Sequence, residues 1–160
     1  MKRGQVIEAF RLINGIKMNV VSDKETRKAI ISNHLQMYKV AEAHDNEVKE
    51  VYKKLFDGKE EDMAKVNELR QEFNANETTI ERKNEIVKDI VENYRHVIEL
   101  ETEFNNTIVA RLDEEVEINI VKFNKDEFTN ACADSNLEFT MLDILRIEAI
   151  FNEDEDKALE

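Results

Sequence analysis

Residues 23–57 read DKETRKAIISNHLQMYKVAEAHDNEVKEVYKKLFD, with no proline and with no glycine before Gly58. A helix-capping pattern opens the stretch, either Ser22-x-x-Glu25 or Asp23. Apolar residues then recur at spacings of three and four, which is typical of a coiled-coil-like amphipathic helix. At about 1.5 Å per residue, such a helix is about 50 Å long.

This helix carries two apolar stripes. The first, assigned as the seam toward the rest of the chain, consists of Ile31, Leu35, Tyr38, Val48, Tyr52 and Leu55. The second consists of Ile30, Met37, Val51 and Phe56. A helical hairpin buries one stripe per helix, and each large apolar side chain buried stabilises the fold by about 1.5–3 kcal/mol. Ordering each residue costs about 1.5 kcal/mol in conformational entropy, so burial of one stripe leaves little net stability. We therefore expect the second stripe to bind another chain.

Residues 60–113 continue the helical periodicity and form the second arm of the predicted hairpin. They are either one helix of about 54 residues, or a short helix followed by one of about 36 residues. The break would fall at Asn74–Thr78, because Thr78-x-x-Glu81 is a second capping pattern. The turn at Gly58 makes the two arms antiparallel.

The ends of the chain hold shorter elements. Residues 5–14 form a short helix, 126–133 form another, and Thr140-x-x-Asp143 opens the last one. Between the hairpin and these final helices, apolar and polar residues alternate as in a β-strand. The apolar positions of this strand are Val116, Ile118 and Ile120, which are also candidate interface residues. Such a strand must pair, either with Met18–Val21 or with a strand of another copy.

These elements predict a mainly α fold with one or two short β-strands. We expect a single elongated helical domain over 1–151, in which the hairpin covers 23–113 and an end module combines 1–21 with 114–151. Residues 152–160 hold five acids and one lysine, and we expect a disordered acidic tail there.

Charge is unevenly distributed along the chain. Residues 1–98 hold 18 acidic and 18 basic side chains and residues 99–160 hold 18 and 5, so the later part carries the whole net charge of −13. This excess disfavours nucleic-acid binding, because phosphates would be repelled. It also makes a candidate surface for a basic partner, formed by Glu114, Glu115 and Glu117. No apolar run reaches the roughly 18 residues of a membrane span, and no signal-peptide core follows Met1, so a cytoplasmic protein is expected.

Residues suited to catalysis or metal binding do not form a recognisable pattern. His34, His44 and His96 lack the spacings of helical metal motifs, and the pair formed by Glu92 and His96 occurs readily on a glutamate-rich helix. Cys132 is the only cysteine and is expected in the core. We assign no catalytic, cofactor-binding or metal-binding residue and expect a protein that is not an enzyme.

Several segments together carry a resemblance. They are QVIEAF at 5–10, the charged hairpin, LDEEVEINI at 112–120, KDEF at 125–128 and LDILRIE at 142–148. This order resembles a family of small helical proteins of unknown function encoded by tailed bacteriophages and prophages. The resemblance implies a phage context, either in the virion or in the bacterial cytoplasm, and brings no catalytic residues.

The expected function is accordingly protein–protein interaction or virion assembly by an oligomer. Its partners would be further copies of the chain, another phage protein or a host protein, with no membrane involved. The alternative is an acidic helical inhibitor of a host nuclease or defence effector, which would use the negative part of the chain.

Overall fold

The computed structural model describes residues 1–138 and 140–151, and these residues are mainly helical, as predicted. The helices are α1 (Arg3–Gly15), α2 (Lys24–Phe56), α3 (Glu60–Asn74), α4 (Ile80–Asn93), α5 (Arg95–Asp113), α6 (Lys125–Asp134) and α7 (Met141–Arg146), followed by a 3-10 helix (Glu148–Ile150). The predicted acidic tail, 152–160, lies outside the described residues.

The chain divides into two compact units. Unit 1 contains residues 1–45 and the described residues from 111 onward, and unit 2 contains residues 46–110. The helices α2 and α5 each contribute to both units. These boundaries differ from the predicted hairpin and end module, and the assignment of 1–151 to a single elongated domain stays a prediction.

The first predicted arm is present as one helix. Asp23 caps α2, since its Oδ2 accepts a hydrogen bond from the backbone N–H of Thr26 at 2.6 Å, and this bond lowers the pKa of Asp23. At the other end, Gly58 has φ +71°, a left-handed conformation that glycine adopts without strain. The helix therefore begins and ends where its capping residues require.

The second predicted arm is divided into three helices. The chain leaves helical geometry between α3 and α4, as in the predicted alternative with a break, and again at Tyr94 between α4 and α5. Thr79, one residue later than predicted, caps α4 by accepting from the backbone N–H of Arg82 at 3.2 Å. Thr78 instead donates its hydroxyl hydrogen bond to the carbonyl of Glu72. The structure therefore has the predicted break near Asn74–Thr78 and a further break at Tyr94 that was not predicted, and the hairpin stays a prediction.

Unit 1 is built around an apolar core contributed by α1, α2, the segment before α6, α6 itself, α7 and the residues after it. Its members include Val6, Ile13, Ile30, Met37, Phe123, Phe128, Ile147 and Phe151. The rings of the three phenylalanines lie with centroids 5.3 to 5.7 Å apart. At the end of α1, a Cβ on Gly15 would lie 2.6 Å from Leu137 Cδ2, so the absence of a side chain permits this close packing.

The predicted strand at 116–123 is wrong. The part of the chain that the structure describes contains no β-strand, and only isolated bridges join Lys2 to Glu115 and Phe123 to Phe151. The alternation has another cause, because Val116, Ile118 and Ile120 are half-buried against the unit 1 core.

Helix side chains provide much of the hydrogen bonding that a partner strand would have supplied to this segment. The Asn33 side chain donates from Nδ2 to the carbonyl of Val121 at 2.8 Å and accepts from its N–H at Oδ1 at 2.9 Å. Gln36 Oε1 accepts from the N–H of Asn119 at 3.2 Å. A further bond runs from the N–H of Val116 to the carbonyl of Met1 at 2.9 Å. Backbone groups at these positions are thus paired without the predicted partner, Met18–Val21.

Unit 2 has a smaller core, supplemented by ion pairs. Its buried apolar side chains are Phe56, Val66, Leu69, Ile86 and Val97. Arg70 forms two hydrogen bonds to the Glu101 carboxylate, at 2.7 and 2.6 Å, and these raise the pKa of Arg70. Between α3 and α4, Arg82 binds Glu72 at 2.6 Å and lowers the pKa of that carboxylate. Charged side chains therefore connect helices that share few buried residues.

Candidate functional site

The residues predicted to face a partner from α2 are largely covered by the chain itself. The exposed fraction is 1% for Ile30, 0% for Met37 and 3% for Phe56, and Val51 is half-buried. Ile30 and Met37 belong to the unit 1 core, and Phe56 packs in unit 2. The predicted interface role of Ile30, Met37 and Phe56 is corrected to a core role, because burial within the chain leaves them no area for a partner. That of Val51 stays a prediction.

The opposite side of α2 carries apolar residues that the chain does not cover. Ile31 is 46% exposed, Leu35 is 62% exposed and Tyr38 is 46% exposed. We call these three residues the outer stripe. They fall at i, i+4 and i+7, so they lie in one row along the helix surface. We expected this row to form the seam toward the rest of the chain, whereas in the structure it is exposed to solvent.

A shallow groove runs beside the outer stripe within unit 1. It has a volume of about 200 Å³ and is lined by apolar side chains that include Ile13, Ile16, Met18, Ile31 and Leu35. In the tautomer that carries the proton on Nε2, His34 donates a hydrogen bond of 3.0 Å to Asn14 Oδ1, and its ring lies 5.2 Å from that of Phe10. The α1 helix thus forms one wall of the groove and the outer stripe forms its rim.

Charged residues mark the two ends of the outer stripe. Toward the N-terminus, Lys28 Nζ lies 2.7 Å from Glu25 Oε1, and the Lys28 side chain is 60% exposed. Toward the C-terminus, the Tyr38 hydroxyl donates to Glu42 Oε1 at 2.7 Å. That hydrogen bond to the carboxylate raises the pKa of Tyr38. The stripe is therefore apolar at its centre, with the Lys28–Glu25 ion pair before it and Glu42 after it, and the exposed Lys39 lies beside it.

The predicted acidic surface is exposed but partly neutralised. Glu114, Glu115 and Glu117 are all exposed. The Glu114 carboxylate lies 2.9 Å from the Arg3 guanidinium. Beside it, Lys2 Nζ lies 2.9 Å from Asp113 Oδ1, which raises the pKa of Lys2. Basic residues at the start of the chain therefore lie among these acids.

The titratable residues considered for chemistry lie in separate places. His96 Nε2 lies 2.8 Å from Asp62 Oδ2 in unit 2, whereas Glu92 lies 3.9 Å from Lys88. Over residues 1–138 and 140–151, no three histidine, cysteine or acidic side chains converge as a metal site would require. Cys132 is buried as predicted, and burial raises its pKa to about 11, which disfavours the reactive thiolate.

Unit 2 has a groove of its own, between the end of α2 and α3. Its volume is about 390 Å³, and Tyr52, Phe56 and Met63 contribute to its lining. The Tyr52 ring packs 4.8 Å from that of Phe56, and its hydroxyl lies 3.7 Å from the Met63 sulfur. The polar part of the lining comes from Lys53, Asp57, Glu60 and Asn67.

Two features of the site were not predicted from the sequence, namely which side of α2 is buried and which charges flank the outer stripe. The sequence held a signal for each. The polar residue Asn33 lies among apolar neighbours on the covered side of α2, and this was the available signal for which side is buried. The opposite charges of Lys28 and Glu42, seven residues before and seven residues after Leu35, were the second signal. No helix in the described residues is both long and apolar enough to cross a membrane.

The comparisons with known proteins found no match to this chain among protein-family models, curated proteins or solved structures.

Proposed function

We propose that this protein is a non-enzymatic interaction protein that acts as an oligomer through the outer stripe of α2. The observation that carries the proposal is the exposure of Ile31, Leu35 and Tyr38 in one row. Contiguous exposed apolar surface is uncommon on proteins that stay single and marks sites of association. Full burial of a large apolar side chain contributes about 1.5–3 kcal/mol, so covering this row favours binding.

The spacing of the row supports helix-to-helix association. Spacings of four and three residues place side chains as they occur in coiled coils, where a second helix covers the row. We propose that α2 associates in this coiled-coil-like manner. Following the resemblance, we place the protein in a phage or prophage, with virion assembly or an accessory role as its task and the bacterial cytoplasm or the virion as its location.

The non-enzymatic part of the proposal rests on what the polar side chains do. The best candidate pair, His96 and Asp62, lies on partly exposed helix surface and connects α5 to α3. The Cys132 thiol packs in the unit 1 core. Both arrangements have a structural explanation, and neither residue is presented in a concave site that would exclude water.

Light scattering over a range of protein concentrations tests the proposal. We expect the mass of the full chain to rise above that of one copy as concentration increases. Leu35→Glu places a charge in the row and should return the mass to one copy. Lys54→Glu reverses an exposed charge of the same helix, about 100° around the helix axis from the row, and should leave the mass unchanged. Circular dichroism confirms that both variants remain helical. A single-copy mass for the unaltered chain at every concentration up to the millimolar range would overturn the proposal.

The second candidate is an acidic inhibitor of a basic host protein. The observation that favours it is the exposure of Glu115 and Glu117 in the part of the chain that carries the net charge. In that case Glu115→Gln with Glu117→Gln should weaken binding to a basic partner such as a nuclease, and added salt should do the same. Leu35→Glu should leave that binding unchanged, which separates the two candidates.

A further inference from the structure

We infer that the outer stripe binds the same stripe of a second copy, with the two α2 helices antiparallel and a twofold axis at Leu35. This inference rests on the proposed function and adds the partner and its orientation. It follows from the arrangement of charges about Leu35, from the position of the apolar residues and from the basic start of α2.

Charge symmetry is the first argument. Lys28 precedes Leu35 by seven residues, and Glu42 follows it by seven. Seven residues are close to two helical turns, so all three residues lie on one side of α2, about 10.5 Å apart along the axis. When two copies pair antiparallel about Leu35, Lys28 of each copy lies opposite Glu42 of the other. A parallel pair would oppose like charges at both ends, which is unfavourable.

The apolar residues fit the same axis. Ile31 lies four residues before Leu35 and Tyr38 lies three residues after it. In the antiparallel pair, Leu35 faces its own counterpart. Ile31 lies opposite the aliphatic stem of Lys39 of the second copy and beside its Tyr38. The contact therefore has an apolar centre bounded by ion pairs, the usual arrangement of a protein interface.

The charges at both ends are available for such a contact. Lys28 and Glu42 are exposed, and their contacts, with Glu25 and Tyr38 respectively, lie within α2. These local contacts can be exchanged without disturbing the unit 1 core. Lys24, Arg27 and Lys28 also crowd the first turns of α2, where positive charge opposes the helix dipole. An acidic partner at that end removes this unfavourable interaction.

Cysteine cross-linking of the full chain tests the orientation. In the antiparallel pair, position 28 lies close to position 42 of the other copy and about 21 Å from its own counterpart, whereas a disulfide spans at most about 7 Å between Cα atoms. We expect Lys28→Cys and Glu42→Cys to cross-link in an equimolar mixture, and neither alone. The buried Cys132 is present in every sample, and the unaltered chain is its control. Cross-linking of Lys28→Cys alone, as fast as in the mixture, would show a parallel pair and overturn the inference.

Charge reversal gives a second test that does not depend on cysteine chemistry. Lys28→Glu and Glu42→Lys each create two repulsive contacts in a pair of identical copies, and each should weaken self-association about tenfold. Mixed in equal amounts, the two variants have complementary ends and should associate within about threefold of the unaltered chain. The double variant Lys28→Glu with Glu42→Lys carries both complementary ends on one chain, so it should self-associate with a similar affinity. Sedimentation equilibrium measures all four affinities.

The outcomes separate this inference from the proposed function. Self-association that Leu35→Glu abolishes, but that charge reversal at 28 and 42 leaves unchanged, would overturn the antiparallel register and keep the outer stripe as the interface. A chain that stays single at all concentrations would overturn both.

Discussion

The two sides of α2 differ in their exposure to solvent. On one side of α2, Ile30 and Met37 are buried in the unit 1 core. On the other side, Ile31, Leu35 and Tyr38 are about half exposed or more. The two rows come from the same nine-residue segment, 30–38, and have similar apolar character, so hydrophobicity alone does not explain which of them is covered.

A polar residue distinguishes the two sides. Asn33 lies on the covered side, fully buried, and both its amide groups bind the backbone of Val121. A buried amide is stable only when its hydrogen bonds are satisfied, so this residue fixes the position of the 116–121 segment against α2. Asn33 thus joins the covered side of α2 to one position of this segment.

Shortening a side chain on each side should produce the largest contrast. Met37→Ala removes a fully buried side chain and should lower the free energy of unfolding by about 3 kcal/mol. Leu35→Ala, at 62% exposure, should change it by less than about 0.5 kcal/mol. Urea denaturation of dilute protein, where copies are separate, measures both. Equal losses in the two variants would mean that the sides have been assigned incorrectly.

Removing the buried amide should have the next largest effect. Asn33→Ala leaves the N–H and carbonyl of Val121 without their side-chain partners and should destabilise the protein by about 2 kcal/mol. Gln36→Ala is the matched control, because it removes one partly exposed bond to Asn119 and should cost about 0.5 kcal/mol. Hydrogen exchange at the Val121 amide should accelerate in the first variant and not in the second. An unchanged Val121 amide in Asn33→Ala would contradict the role given to this residue.

The smallest expected effect is a titration on the outer stripe. The hydrogen bond to Glu42 holds the pKa of Tyr38 above its ordinary value of 10.0. Because the folded chain favours the neutral phenol, this contribution to stability is present below the ordinary pKa and is lost as pH rises through the raised one. Ultraviolet titration should show a late ionisation from Tyr38, which Tyr38→Phe removes and Glu42→Gln shifts to lower pH. A titration of Tyr38 that Glu42→Gln leaves unchanged would show that the bond is absent in solution.

Local sequence signals predicted the helices with good accuracy. The first arm was expected over 23–57 and the helix is Lys24–Phe56. The capping pattern at Thr140 is present, with Asp143 Oδ2 accepting from the Thr140 N–H at 2.7 Å. Such signals act within one helical turn, so they can be read without knowledge of the fold.

Signals that depend on distant residues were not readable in the same way. The alternation at 116–120 predicted a strand, because a half-buried extended segment and a strand share the same period. Only the tertiary structure reveals that helix side chains replace the partner strand. The bend at Tyr94 likewise has no glycine or proline to mark it.

The residues expected to bind a partner are mostly buried, and the association surface itself stays a prediction. An association surface on α2 was expected, with Ile30, Met37, Val51 and Phe56 as its residues. The choice between two apolar rows requires knowledge of which one meets α1 and the 116–121 segment, and neither contact is local in sequence. In the structure, the row that was expected to bind a partner is largely buried, and the row that was expected to be buried is exposed.

A solvent-accessibility measurement by nuclear magnetic resonance tests this exchange most directly. A water-soluble paramagnetic agent broadens methyl signals in proportion to their exposure to solvent. In dilute protein we expect strong broadening of the Leu35 methyls and almost none of the Met37 methyl, and in concentrated protein we expect the Leu35 methyls to become protected. Broadening of Met37 in dilute protein, or Leu35 methyls equally broadened at both concentrations, would contradict the assignment of one side to the core and the other to a second copy.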